Sequence, residues 1–313
     1  MTQGSLVTTM SLLISLAISG VPLHSQQGPI VTFSAGVDLV RVSAVVRDRK
    51  GRVVKDLTAQ DFEVLDNGES RSISDFRIDS SGVSVALLFD VSGSMEGQAE
   101  SARDAARHLL SWLDGATDES AVFAFDTHFE ELTPFSAGMR ELPTHLATMQ
   151  PFGATSLHDA IAHTARQLDG REGRRRAVVV FTDGNDNSSR LTPSEVSGIA
   201  SAIDVPVYVV GVVSAIDDPN ADIGATGGRS AFEGPLFNLA VWTGGNVFVA
   251  SSPGERSRVA QRIVEELRYQ YLIAFESSGT PGWHPLVVRV RDENHVIRAR
   301  GGYIAGQSSP VLQ

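Results

Sequence analysis

Five short runs between Val83 and Ala250 are apolar almost without interruption: VSVALLFD (83–90), AVFAFD (121–126), AVVVFTD (177–183), PVYVVGVV (206–213) and NVFVA (246–250). A strand exposed on one face alternates apolar and polar residues, so runs this continuous belong to strands covered on both faces, as in a parallel sheet. Between them the spacing turns helical. Ala102, Ala105, Ala106, Leu109, Leu110 and Leu113 share one face of 97–114, and helices are expected at 157–168, 193–203, near 230–242 and at 254–269. A further helix is expected within 138–149, and an edge hairpin near HFEELTPF (128–135). Repeated βα units imply right-handed crossovers and a doubly wound, mostly parallel sheet. The fold class is α/β.

The flanks read as antiparallel β. VDLVRVSAVV (37–46) alternates, Lys50-Gly51 offers a turn, and FEVLDNGESRSISDF (62–76) carries Asn67-Gly68 between strand-like runs, a strong hairpin signal. At the other end YLIAFES (271–277), LVVRVRD (286–292) and VIRARGGY (296–303) read as three antiparallel strands. Isolated hairpins and triplets are marginal in water. Segments 30–80 and 271–306 are therefore expected to pair as one small β-sandwich, with 82–270 inserted between them. Two separate small β units are the alternative.

Residues 6–18 (LVTTMSLLISLAI) form the longest mainly apolar run. It falls short of the roughly 20 residues that span a bilayer and matches the apolar core of a signal peptide. Leu23 and Ser25 place cleavage after Ser25, so residues 1–25 are expected to be a leader and the chain to be secreted or periplasmic, with no stable membrane span afterwards. No Lys or Arg precedes the apolar core, which leaves an uncleaved N-terminal anchor open. The chain contains no cysteine, which excludes disulfide scaffolds, thiol nucleophiles, zinc–thiolate sites and Fe–S clusters. With 26 Lys and Arg against 37 Asp and Glu, the net charge is −11. Such a balance argues against a nucleic-acid partner, whose binding needs clustered cations. It suits a bound cation wherever carboxylates converge.

One such place stands out. Asp90 ends the first buried strand and opens Asp90-Val91-Ser92-Gly93-Ser94, and Asp183 ends another buried strand. Ligands of open α/β sheets gather beyond the carboxyl ends of the strands. Thr155, in the loop Gly153-Ala154-Thr155-Ser156 that enters a helix, adds a hydroxyl at a similar height. Two carboxylates and three hydroxyls are hard oxygen donors, suited to Mg²⁺, Mn²⁺ or Ca²⁺ over zinc or copper. So few carboxylates favour a small octahedral ion, Mg²⁺ or Mn²⁺. Any one of these residues alone reads as a helix cap or turn former. Three loops at matching strand ends do not. Other polar groups carry less: Asp126 reads as a rim or turn residue, Asp159 as at most a support, and His108, His158 and His163 as helix-surface residues. REGRRR (171–176) reads as a solvated loop, and the acidic loop Asp217–Asp222 is only loosely like a calcium loop.

Asp90-x-Ser92-x-Ser94, Thr155 before a helix and Asp183 in a strand-end Thr-Asp-Gly together resemble the metal-ion-dependent adhesion site of von Willebrand factor A domains. The surrounding words FDVSGSM, GATSLHDAI and VVVFTDG agree, and the resemblance covers about residues 82–270. It implies a Rossmann-like sheet with Asp90, Ser92, Ser94, Thr155 and Asp183 as direct or water-mediated ligands of Mg²⁺, with Mn²⁺ or Ca²⁺ as substitutes. It also implies one coordination position left for an acidic residue of a protein ligand. The flanks resemble the secreted bacterial group of VWFA-related domain proteins. The expected function is an exported protein-binding module rather than an enzyme. Metal-assisted hydrolysis is the alternative, and an envelope structural or assembly component with a stabilising ion is another. Against hydrolysis, the chain shows no base near Asp90, no phosphate-binding loop and no Gly-x-Ser-x-Gly elbow. Oligomeric state is left open.

Overall fold

The computed structural model describes Met1 and residues 39–171, 173–213 and 232–306. The expected leader and the Asp217–Asp222 loop lie outside the described residues. The first flank forms β1 (Leu39–Asp48), β2 (Phe62–Asp66), β3 (Glu69–Arg71) and β4 (Ile73–Ile78). The central segment forms β5 (Val83–Asp90), β6 (Glu119–Phe125), β7 (Phe129–Ala137), β8 (Arg175–Thr182), β9 (Val207–Val212) and β10 (Asn246–Ala250). Its helices are α1 (Ala99–Trp112), α2 (Thr144–Thr148), α3 (Leu157–Asp169), α4 (Pro193–Ala202), α5 (Pro235–Trp242) and α6 (Pro253–Arg268). The last flank forms β11 (Tyr271–Glu276), β12 (Gly282–Val290), β13 (His295–Ala299) and β14 (Gly302–Ala305).

The central sheet has the order β10-β9-β8-β5-β6-β7, and β7 alone runs antiparallel, as the edge partner of β6. All of β5 is buried, because both faces of the sheet are covered. Alternate side chains go to opposite faces. Val85, Leu87 and Phe89 join Val179, Phe181 and residues of α1 and α6 in one core. Ala86 and Leu88 join Val178, Val180 and residues of α3, α4 and α5 in the other. This is the doubly wound sheet expected from the continuous apolar runs. The helix expected within 138–149 shrinks to α2, whose single buried residue is Leu146. Pro143 stands at its N-cap, and proline disfavours helix in the residue before it, so the helix starts only at Thr144.

The flanks share their sheets. β1 pairs with β11 and β13, and β11 with β4, while β12 pairs with β2 and β14, and β2 with β3, all antiparallel. The sheets β13-β1-β11-β4 and β14-β12-β2-β3 enclose a core of Val42, Val46, Phe62, Val64, Tyr271, Ile273, Phe275, Leu286 and Tyr303. The last flank has four strands, not three. VIRARGGY breaks at Arg300-Gly301, where the chain leaves one sheet for the other and the Gly301 N–H donates to the Trp242 carbonyl at 2.7 Å. A Cβ at Gly301 would sit 2.5 Å from the Trp242 ring, so glycine is required at this crossing.

The basic run 171–176 is not wholly a solvated loop, because Arg175 and Arg176 begin β8. Arg175 is buried and donates to the carbonyls of Arg268 at 2.7 Å, Asp79 at 3.3 Å and Ser81. Arg176 donates to the carbonyls of Leu168 at 3.3 Å, Asp169 at 3.2 Å and Ile203. The carbonyls of Leu168 and Asp169, Ile203 and Arg268 end α3, α4 and α6, where the helix dipole is negative and the last C=O groups lack helical partners, while those of Asp79 and Ser81 lie between β4 and β5. Charge counting misses such partners because a carbonyl carries no formal charge.

Candidate metal centre

Strand order reverses at β5, with β6 on one side and β8 on the other. Such a reversal opens a crevice at the carboxyl ends of the strands. Asp90, the last residue of β5, sits there with only 2% of its surface exposed. Its Oδ1 accepts from the Ser92 N–H at 2.9 Å and the Ser92 hydroxyl at 2.6 Å. Its Oδ2 accepts from the hydroxyl of Thr182, the last residue of β8, at 2.7 Å. Burial pushes the Asp90 carboxyl up to about 6, against the pull of these hydrogen bonds and helped by the nearby charge of Asp183. Three hydrogen bonds leave the buried charge under-compensated. A cation beside it would lower the cost.

Two hydroxyls stand beside this carboxylate. Ser92 donates its hydroxyl hydrogen bond to Asp90, so its lone pairs are left as acceptors, and its Oγ lies 3.1 Å from Ser94 Oγ. That spacing is a hydrogen-bond distance, and it leaves two hydroxyl oxygens side by side next to the carboxylate. Among the described residues no group of three or more His, Cys, Asp or Glu side chains is placed to hold a metal. A cation here would depend on hydroxyls as much as on carboxylates.

Backbone hydrogen bonds bring the other two loops to the same place. Gly93 N–H donates to the Gly153 carbonyl at 3.1 Å, and Phe152 N–H to the Val91 carbonyl at 3.0 Å. Gly153 adopts φ +83°, a turn that L-residues resist, and two residues later Thr155 is buried. The Thr155 N–H donates to Asn187 Oδ1 at 2.9 Å, and its carbonyl accepts from the N–H groups of Asn187 and Ser188 at 3.1 and 3.0 Å. Asp183 directly follows β8 and is half-buried; its oxygens accept from the N–H and side-chain amide of Asn185 at 3.2 and 3.0 Å. Asp90, Ser92 and Ser94 thus form one hydrogen-bonded cluster. Thr155 stands on a loop bonded to that cluster's loop, and Asp183 follows Thr182, which is bonded to Asp90.

The supporting residues differ from their sequence readings. Thr182 was not singled out, because a threonine ending a strand reads as a β-former. His158 is no simple surface residue: its ring lies 3.1 Å from Asp186, and both side chains are largely buried. Burial works against the Asp186 charge, yet hydrogen bonds from His158 and Ser189 hold its carboxyl well below the usual range. Asp159 accepts from the N–H groups of Arg190 and Leu191 at 3.0 and 2.9 Å, securing the loop that follows Asp183. Asp126 caps its own turn through the His128 N–H at 2.6 Å, while its carbonyl accepts from Ser156 N–H at 2.8 Å. His163 stacks on Phe129 with ring centroids 5.4 Å apart, and His108 lies 3.8 Å from Asp104 on the surface of α1. Neither approaches the crevice.

Among solved structures, the conserved hypothetical protein BatB from Bacteroides thetaiotaomicron is 20% identical, over 59% of this chain and 98% of its own, with a TM-score of 0.47. An aerotolerance-related membrane protein from Bacteroides fragilis is also 20% identical, over 59% of this chain and 98% of its own, with a TM-score of 0.48. A von Willebrand factor type A protein from Catenulispora acidiphila is 13% identical, over 88% of this chain and 76% of its own, with a TM-score of 0.47. No curated protein matches the chain by sequence. Residues 85–185 match the family model of the von Willebrand factor type A domain, a span that contains Asp90, Ser92, Ser94, Thr155 and Asp183.

Proposed function

We propose that this chain is an exported protein-binding module, not an enzyme, that holds Mg²⁺ (Mn²⁺ or Ca²⁺ in its place) and grips an acidic residue of a protein partner. One observation carries the reading: a buried Asp90 carboxylate at the strand-order reversal, next to two serine oxygens 3.1 Å apart. When bound, the ion supplies a concentrated positive charge and a coordination position that an incoming carboxylate fills. Asp90 anchors one side of the site, fixed by Ser92 and Thr182 so that it does not reorient. Ser92, Ser94 and Thr155 are neutral donors, and Asp183 is the second carboxylate. A donor set with two negative charges leaves a divalent ion no surplus of protein charge to repel a third carboxylate. That favours gripping a partner over holding a purely structural ion.

Export rests on the apolar run 6–18, and the acidic net charge agrees with a protein rather than a nucleic-acid partner. Among the described residues no helix is long and apolar enough to cross a membrane. The discriminating experiment immobilises the full chain in Mg²⁺ and measures binding of candidate surface proteins by surface plasmon resonance. Binding should vanish in EDTA, return with Mg²⁺, and be lost in Asp90→Ala. Binding that persists in EDTA would instead assign the ion a stabilising role and place the contact elsewhere.

A further inference from the structure

Phe152 is 79% exposed, more than any other large apolar side chain among the described residues except Met1. Single exposed apolar residues are ordinary on protein surfaces and need no explanation by themselves. Phe152 differs in two respects. Its backbone is pinned to the candidate site, because its N–H donates to Val91 at 3.0 Å and the next residue's carbonyl accepts from Gly93 at 3.1 Å. Pro151 before it restricts the chain, and Gly153 after it turns with φ +83°, so that Phe152 stays outside while Thr155 goes in. The same short loop thus buries Thr155 and leaves an aromatic side chain in solvent. A ring with two side-chain torsions on a fixed backbone loses little entropy when covered.

We infer that Phe152 is the apolar half of a two-point docking site, and that the partner places a large apolar side chain within one or two residues of the acidic side chain that reaches Asp90, Ser92 and Ser94. This rests on the metal-dependent docking proposed above and adds the partner's local sequence chemistry. The charged half of the contact gives direction and metal dependence. Phe152 gives selectivity among acidic segments, since a polar segment leaves the ring exposed and an apolar one covers it.

Peptide display on the immobilised, Mg²⁺-loaded full chain tests this, with EDTA elution so that only metal-dependent binders are recovered. The wild type should enrich peptides in which Asp or Glu lies within two positions of an aromatic or large aliphatic residue. Phe152→Ser should keep the acidic requirement and lose the apolar one, whereas Phe152→Leu should retain both. A synthetic peptide selected on the wild type should bind Phe152→Ser about tenfold more weakly, while calorimetric Mg²⁺ affinity stays the same. An unchanged apolar preference on Phe152→Ser, or none on the wild type, overturns the inference and leaves metal-dependent docking intact. If Mg²⁺ binds but EDTA releases no peptide, carboxylate docking itself fails and the inference falls with it.

Discussion

The two ends of the central sheet are finished in opposite ways. At the amino end, Arg175 and Arg176 spend their guanidinium protons on the carbonyls that end α3, α4 and α6, and Arg300 does the same for Ser201 and Ala202. The sandwich is fastened there too: Glu266, fully buried in the last turns of α6, takes Arg47 of β1 at 2.8 Å and also pairs with Arg298 of β13. At the carboxyl end nothing comparable closes the surface among the described residues. Among the described residues no cationic side chain is bonded to the buried Asp90, hydroxyl oxygens stand side by side, and an aromatic ring faces water. Much of the formal charge at the amino end is answered by carbonyls and carboxylates of the chain itself, although Arg175 Nε and Arg300 Nε have no hydrogen-bond partner among the described residues. At the carboxyl end it is left incompletely answered, which is the condition for binding something.

The largest expected effect breaks the amino end. Glu266→Ala leaves buried guanidinium groups without their carboxylate, and removal of one partner from such a pair costs about 3–5 kcal/mol. Urea unfolding should show that loss, while Mg²⁺ affinity of the remaining folded protein stays that of the wild type. A comparable fall in Mg²⁺ affinity would mean that the two ends are not independent.

A smaller effect of opposite sign is expected at the carboxyl end. The Asp90 carboxyl is raised to about 6 by burial, so between about pH 4 and 6 the metal-free native state holds this proton after the unfolded chain has released it. Stability from this group is therefore present at low pH, falls as pH rises through that window, and is flat above it. Asp90→Asn removes the dependence. In EDTA it should be about 3 kcal/mol more stable than the wild type at pH 7 and near equal at pH 4. Thermal unfolding at the two pH values checks this, and a difference that does not change with pH would contradict it.

The smallest effect belongs to the sandwich, remote from either end. Both ring nitrogens of His284 face acceptors, Nδ1 the Asp66 carboxylate at 2.8 Å and Nε2 the Thr280 carbonyl at 2.7 Å, which only the charged imidazolium can satisfy together. Burial alone would lower its pKa, but these two acceptors raise it above the usual histidine value. Its contribution is then full below about pH 6.5 and is lost as pH rises through the higher folded value. His284→Gln should cost about 1 kcal/mol at pH 6 and less at pH 9, read by denaturant titration.

Much of this was legible in the chain. Continuous apolar runs such as VSVALLFD reveal a sheet covered on both faces, and Asp90, Ser92 and Ser94 announce themselves by spacing at a strand end. What was hidden depends on partners far away or without formal charge. Arg175 and Arg176 find carbonyls, which no charge pattern displays. His158 meets Asp186 across 28 residues, and Thr182 reaches Asp90 from the neighbouring strand across 92. VIRARGGY reads as one strand, whereas the chain changes sheets at Arg300-Gly301 and so separates β14 from β13.

The central claim is that Asp90 and its neighbouring hydroxyls form a divalent-cation site, and calorimetric titration of the full chain with Mg²⁺ tests it most directly. The wild type should take up about one ion, with affinity falling as pH drops below about 6 because protons compete for Asp90. Asp90→Ala should show no binding heat while its circular dichroism and unfolding remain cooperative. Equal Mg²⁺ affinity in Asp90→Ala and wild type, or no binding heat in the wild type at pH 7, would contradict the account.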